Sequence, residues 1–103
     1  MMIARWQFTA KFGCKNEAIE LIKEWNKEIG SQTNVDMSKV RLSTGSVGVS
    51  EGLVENEIEI DGLSDLQQFF DKIATVEMHK DWGKKMGEVI VSGSTRWDTF
   101  RLV

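Results

Sequence analysis

The chain has no proline, a single cysteine, a single histidine and no apolar run approaching the roughly 20 residues that a bilayer demands. Turns in loop-rich and all-β proteins use proline to fix φ, so a chain of 103 residues without any favours long regular elements. With Cys14 alone, no intrachain disulfide can form and a cysteine-based zinc site has no second sulfur ligand, which points to a reducing, cytoplasmic setting. Arg5, Gln7 and Lys11 interrupt the opening segment before it could act as a signal-peptide core. Positive charge is not in excess. Thirteen Lys and Arg against sixteen Asp and Glu leave a net charge of −3, which argues against a nucleic-acid partner, since such partners need a basic surface. Paired metal-binding histidines, a phosphate-cradling glycine loop, a serine nucleophile elbow and a spaced Cys–His pair are all missing, and no cofactor is expected.

What is present describes one globular domain spanning 1–103, with 41% hydrophobic and 28% charged residues, too apolar for a disordered tail. Residues 2–11 alternate, Ala4, Trp6, Phe8 and Ala10 against Ile3, Arg5, Gln7 and Thr9, as in a strand. From Lys15 to Ile29 the period becomes helical, with Ala18, Ile22, Trp25 and Ile29 on one side and Glu20, Lys23, Glu24 and Lys27 opposite. Gly30 is expected to close this helix as a left-handed cap. A second strand is expected over Lys39–Thr44, a hairpin turn near Ser50-Glu51-Gly52, and a third strand over Leu53–Asp61, in which Val54, Asn56, Ile58 and Ile60 alternate with Leu53, Glu55, Glu57 and Glu59. Ser64 and Gln67 have the spacing of a capping box ahead of a second helix that groups Leu66, Phe69, Phe70 and Ile73. A third helical piece spans residues 77–91 through Met78, Trp82, Met86 and Val89, weakened by Gly83 and Gly87. The last strand is expected over Ser94–Val103, with Phe100 and Leu102 on one side and Trp97 and Arg101 on the other.

Strand, helix, strand, strand, helix, strand is the order of a ferredoxin-like α+β fold, a four-stranded antiparallel sheet with helices on one face. The bare face is then expected to carry Arg5, Arg41, Arg101, Glu55, Glu57 and Glu59 together with Ile3, Leu53, Trp97 and Val103. That mixture reads either as a solvated face with scattered apolar residues or as an interface. Two copies facing each other across a twofold axis would repeat every Arg–Glu pairing.

Few residues stand out chemically. His79 is the only side chain whose ordinary pKa lies near neutrality. At the edge of its helix's apolar face it could serve as a base, ligate a haem iron or meet a ligand's polar end, or be a partly exposed helix residue among Lys80, Asp81 and Lys84. Asn56 breaks the apolar side of its strand and needs partners, from the protein or from a ligand oxygen. Arg96 and Asp98 are open to either a surface or a ligand-facing role. Trp6, Phe69, Phe70, Met78, Trp82 and Met86 are expected between sheet and helices. There they either fill the core or line an adaptable pocket, to which Gly83 and Gly87 would lend space.

The opening Ile3-Ala4-Arg5-Trp6-Gln7-Phe8, the Lys11-Phe12-Gly13 turn, the Glu-rich third strand before Gly62-Leu63-Ser64-Asp65-Leu66, and the closing Val91-Ser92-Gly93-Ser94 resemble the dimeric α/β barrel superfamily over the whole chain. The resemblance implies a homodimer, with a small-molecule cavity in each protomer and no assigned activity. Relatives include cofactor-independent quinol-type monooxygenases, in which His79 would be the base, as well as isomerases and haem-degrading monooxygenases. In the last group a histidine on the final helix ligates iron and an asparagine on the first strand assists, where this chain has only Trp6, Gln7 and Phe8. The leading expectation is therefore a homodimer binding an apolar molecule with a polar end, such as a fatty-acid-like or aromatic carboxylate, through Trp6, Asn56, Phe69, Phe70, Met78, Trp82 and Met86, with His79 as the candidate catalytic residue.

Overall fold

In a computed structural model describing residues 1–103, the chain forms β1 (Met2–Thr9), α1 (Lys15–Glu28), β2 (Arg41–Thr44), β3 (Leu53–Ile60), α2 (Leu63–Ile73), α3 (Glu77–Val89) and β4 (Arg96–Arg101). The strands make one antiparallel sheet in the order β2-β3-β1-β4, the ferredoxin-like arrangement. All three helices cover one face. β1 ends two residues earlier than its alternation suggests, and Ala10 continues only as an isolated bridge to Ile90.

The strong alternation of β1 and β3 fixes their pairing. Ala4 lies opposite Ile58, Trp6 opposite Asn56 and Phe8 opposite Val54 on the helix side, while Arg5 lies opposite Glu57 and Gln7 opposite Glu55 on the outer side. Two apolar clusters fill the layer between sheet and helices. One contains Ala4, Trp25, Ile29, Ile58, Ile60 and Phe69, and the other contains Phe8, Ala18, Ile22, Val54, Met86 and Val89; Trp82 packs on both. Truncating a member such as Ile22, 1% exposed, to alanine is worth about 2–5 kcal/mol.

Several local expectations are overturned. Gly30 does not have positive φ. It opens a short 3-10 turn and is buried, and a Cβ there would meet the flexible end of the Met37 side chain at 2.5 Å and Trp25 at 3.1 Å, so a side chain there would require Met37 to shift. The capping box does not form. α2 starts at Leu63 after an extended Gly62, which puts Ser64 inside the first turn, and the Asp65 carboxylate accepts a hydrogen bond from the Asp61 backbone N–H (2.9 Å).

The largest correction concerns β4. Its pairing sets Trp97 opposite Trp6 and Arg101 opposite Met2 on the helix side, and Asp98 opposite Arg5 and Phe100 opposite Ile3 on the outer side. Trp97 and Arg101 therefore leave the expected outer face, and Phe100 joins it. The two large rings of β4 stand three positions apart, so they cannot share a face, and pairing with β1 decides which of them turns inward.

On the outer face the charges are matched within the chain. Glu57 accepts from Arg5 Nε and pairs with Arg41 Nε, both at 3.0 Å. Glu55 accepts from Gln7 (3.1 Å), Glu59 lies 3.9 Å from Lys39, and the Arg5 guanidinium rests over the Phe100 ring at 4.4 Å. No helix is long and apolar enough to cross a membrane.

Candidate functional site

Where the two apolar clusters meet they leave a cavity of about 290 Å³. β1 contributes Trp6, β3 Asn56 and Ile58, α1 Ile22 and Trp25, α2 Phe69, Phe70 and Ile73, α3 His79 and Trp82, and β4 Trp97. All four tryptophans of the chain thus border one space. Their rings form a continuous chain: Trp6 to Trp82 at 6.0 Å, Trp82 to Trp25 at 6.1 Å, Trp25 to Phe69 at 5.8 Å and Phe69 to Trp97 at 6.1 Å. Tilted and edge-on contacts of this kind hold large flat side chains without filling the volume between them. Phe70 and Trp97, both 38% exposed, mark the open side.

Asn56 and His79 are the only residues of this lining that are not hydrophobic, and each is held by a partner on α1. Asn56, 7% exposed, exchanges two hydrogen bonds with Asn26: Asn26 Nδ2 donates to Asn56 Oδ1 at 3.1 Å, and Asn56 Nδ2 donates to Asn26 Oδ1 at 3.0 Å. Each amide keeps one N–H and one acceptor site after this exchange. The protein therefore supplies the partners that the sequence demanded for Asn56. His79 is half-buried, stacked on Trp82 (5.6 Å between centroids, 23° between planes) and edge-on to Trp25. Its Nδ1 accepts a hydrogen bond from Trp25 Nε1–H at 3.0 Å. Burial lowers its pKa below the usual 6.5, and a donor aimed at the unprotonated Nδ1 acts in the same direction. Trp82 is anchored through its own indole, which donates to the Leu21 carbonyl at 2.7 Å.

Of the residues expected at a site, Trp6, Asn56, Phe69, Phe70, Trp82 and His79 share this cavity, whereas Met78 and Met86 do not. Met86 is buried in the cluster with Phe8 and Ala18, and Met78, 46% exposed, borders a separate, smaller groove beside Glu24, Glu28 and Asp81. Gly83 and Gly87 lie exposed on the solvent side of α3 with open space around them and shape no cavity. Arg96 and Asp98 pair with each other at 2.9 Å, away from it. Cys14 precedes α1 without capping it. Trp25 and Trp97 were missed as lining residues. Trp25 had a signal, since the helical wheel already put its indole on the inner face; Trp97 had none until strand pairing set its face.

No protein-family model matches the chain, and no curated protein does. Solved structures do share its fold. Protein Atu4242 from Agrobacterium tumefaciens superposes with a TM-score of 0.81 at 10% identity, covering 100% of this chain and 94% of that one. An uncharacterized NIPSNAP domain protein from Burkholderia xenovorans gives 0.75 at 10% identity, over 100% and 95%. An antibiotic biosynthesis monooxygenase-like protein from Bordetella bronchiseptica gives 0.73 at 11% identity, over 99% and 97%. At such identities the likeness is one of fold, the ferredoxin-like fold, and activity has to be argued from the site.

Proposed function

We propose that the protein is a homodimer in which each protomer holds one small, mostly apolar molecule carrying a polar oxygen at one end. The observation behind this reading is the convergence of all four tryptophans on a single cavity in which Asn56 and His79 are the only residues that are not hydrophobic. An apolar cavity of about 150 Å³ takes up benzene, so roughly twice that volume suits a two-ring aromatic or a short acyl chain. Hiding about 200 Å² of such a guest at about 25 cal/mol per Å² yields about 5 kcal/mol, a dissociation constant on the order of 0.2 mM before any polar contact is added. Met78 and Met86 drop out of the proposed site, and Trp25 and Trp97 enter it.

The dimer reading draws on the outer sheet face, where exposed Phe100 and half-buried Leu53 lie among the paired ions of Arg5, Arg41, Glu55 and Glu57. Because those charges are already matched within one chain, the apolar residues rather than new ion pairs would drive association. Sedimentation at micromolar concentration tests this, and a monomer would overturn it. Native mass spectrometry of the purified protein, with tryptophan fluorescence titrated against apolar acids, ketones and quinols, tests the binding reading. An empty protein whose fluorescence ignores the whole panel would overturn it.

The likeness to antibiotic biosynthesis monooxygenase-like structures favours a second reading, oxygen-dependent oxidation of a quinol with His79 as base. That role needs an imidazole lone pair free in the cavity, yet the one on Nδ1 is engaged by Trp25. Oxygen uptake with quinols that His79→Ala abolishes would support it. Haem does not fit the same residue. A histidine ligating iron through Nε2 carries its proton on Nδ1, which would set N–H against the Trp25 N–H.

A further inference from the structure

Resting on the binding reading above, we infer that the cavity selects an uncharged molecule whose polar end is a hydrogen-bond acceptor, such as a ketone, aldehyde or ester carbonyl, and that His79 recognises it by donating from Nε2–H.

The first support is the absence of any opposite charge for an ion to meet. Neither lysine nor arginine borders the cavity, and neither aspartate nor glutamate does. An ionised carboxylate moved there from water would lose its hydration without gaining a cation, and an ammonium would lose its hydration without gaining an anion, so both transfers are unfavourable. The lysines of α3 do not help, because Lys80, Lys84 and Lys85 are exposed, and Lys85 borders the separate groove with Glu24, Glu28 and Asp81.

The second support is the identity of the group that orients the imidazole. An indole has one N–H and no acceptor, so Trp25 can only donate to His79. A serine, asparagine or water in its place could reverse roles and let the ring proton move to Nδ1. Trp25 cannot, and with Nδ1 accepting at 3.0 Å the neutral ring must carry its proton on Nε2. Stacking on Trp82 holds the ring plane while Trp25 holds its rotation. Since Trp25 and Trp82 both border the cavity with His79, the side chains that enclose the guest also fix the polarity of its recognition. The Asn56 amide keeps one N–H and one acceptor site beside its exchange with Asn26 and contributes no net charge.

The test uses one ring system with different ends: naphthalene, 2-acetylnaphthalene, 2-naphthoate and 2-(aminomethyl)naphthalene, titrated by calorimetry into the intact protein at pH 7.5. The ketone is expected to bind at least about tenfold more tightly than either ion. It should lose its advantage over naphthalene in His79→Phe and keep part of it in His79→Gln, which retains an N–H donor. Because the chain has a single histidine, long-range ¹⁵N–¹H correlation spectra read the ring without an assignment problem and should show Nε2 protonated, shifting to a mixture of tautomers in Trp25→Phe. Tighter or equal binding of the carboxylate or the amine by the wild-type protein would overturn the inference while leaving a binding cavity in place, as would a proton on Nδ1. Failure of all four probes, naphthalene included, would overturn the binding reading and this inference with it.

Discussion

The reciprocal amide pair between Asn26 and Asn56 makes a sharp energetic prediction, because the two side chains differ in their access to water. Asn56 is 7% exposed whereas Asn26 is half-buried, and the pair is closed by hydrogen bonds of 3.0 and 3.1 Å. Asn26→Ala removes both bonds, at about 1 kcal/mol each, and strands the buried Asn56 amide, adding about 1 kcal/mol of uncompensated desolvation. The expected loss is about 3 kcal/mol, which at about 4–8 °C per kcal/mol lowers Tm by about 12–24 °C. Replacing both partners, as in Asn26→Leu with Asn56→Leu, removes the stranded group as well and should return stability to within about 1 kcal/mol of wild type. Urea and thermal unfolding at fixed protein concentration measure the cycle, the fixed concentration keeping any association equilibrium constant. A cost below about 0.5 kcal/mol for Asn26→Ala, or a double variant that loses the sum of the two single leucine substitutions, would show that the two amides are not coupled, since independent side chains add.

Other consequences are more quickly drawn. Gly83→Ala and Gly87→Ala fill open, solvent-facing helix positions, so each should stabilise by about 0.8–1 kcal/mol and raise Tm by several degrees while leaving calorimetric affinity for apolar probes unchanged; a loss of affinity would return these glycines to the cavity. His79 resists protonation in the folded chain, so as pH falls below 6.5 the unfolded chain takes up a proton that the native one does not, and stability declines toward the lowered folded pKa. His79→Gln should flatten that part of the stability–pH curve, and an unchanged slope between pH 6.5 and the onset of carboxylate titration would contradict the shift. Glu57→Gln replaces the carboxylate shared by Arg5 and Arg41 and should cost about 1–3 kcal/mol in urea unfolding, more than the corresponding change at Glu20, whose exposed pair with Lys23 lies at 3.4 Å.

Much of the architecture was legible because β1, β3, α1 and α2 each carry one clear period. Alternation through Trp6, Phe8, Val54 and Ile58 fixed which faces turn inward, and a one-residue slip would have exposed every one of those side chains. β4 offered no such period. Arg96-Trp97-Asp98-Thr99-Phe100-Arg101 has two large apolar side chains on opposite faces and charges on both, so only its ladder with β1 decides that Trp97 looks toward Trp6. Gly30 and Ser64 fit local capping patterns, but a 3-10 turn following directly on α1 and a helix start two residues earlier overrode them.

The site was legible to a different depth. A polar side chain in an apolar row announces itself, and Asn56 and His79 both did. What each can do depends on its partner, and the partners stand 30 and 54 positions away on the chain, on another element. Nothing in the period of α1 tells Asn26 from any other polar residue at the edge of a helix, and nothing in Trp25 beyond its apolar face says that its N–H meets an imidazole. Yet that contact decides the chemistry open to His79. A ring whose Nδ1 faced a carboxylate would keep Nε2 unprotonated and present a base, whereas one whose Nδ1 faces an indole presents a donor. Sequence reading found the titratable group; the tertiary packing of one tryptophan sets the direction in which its proton points.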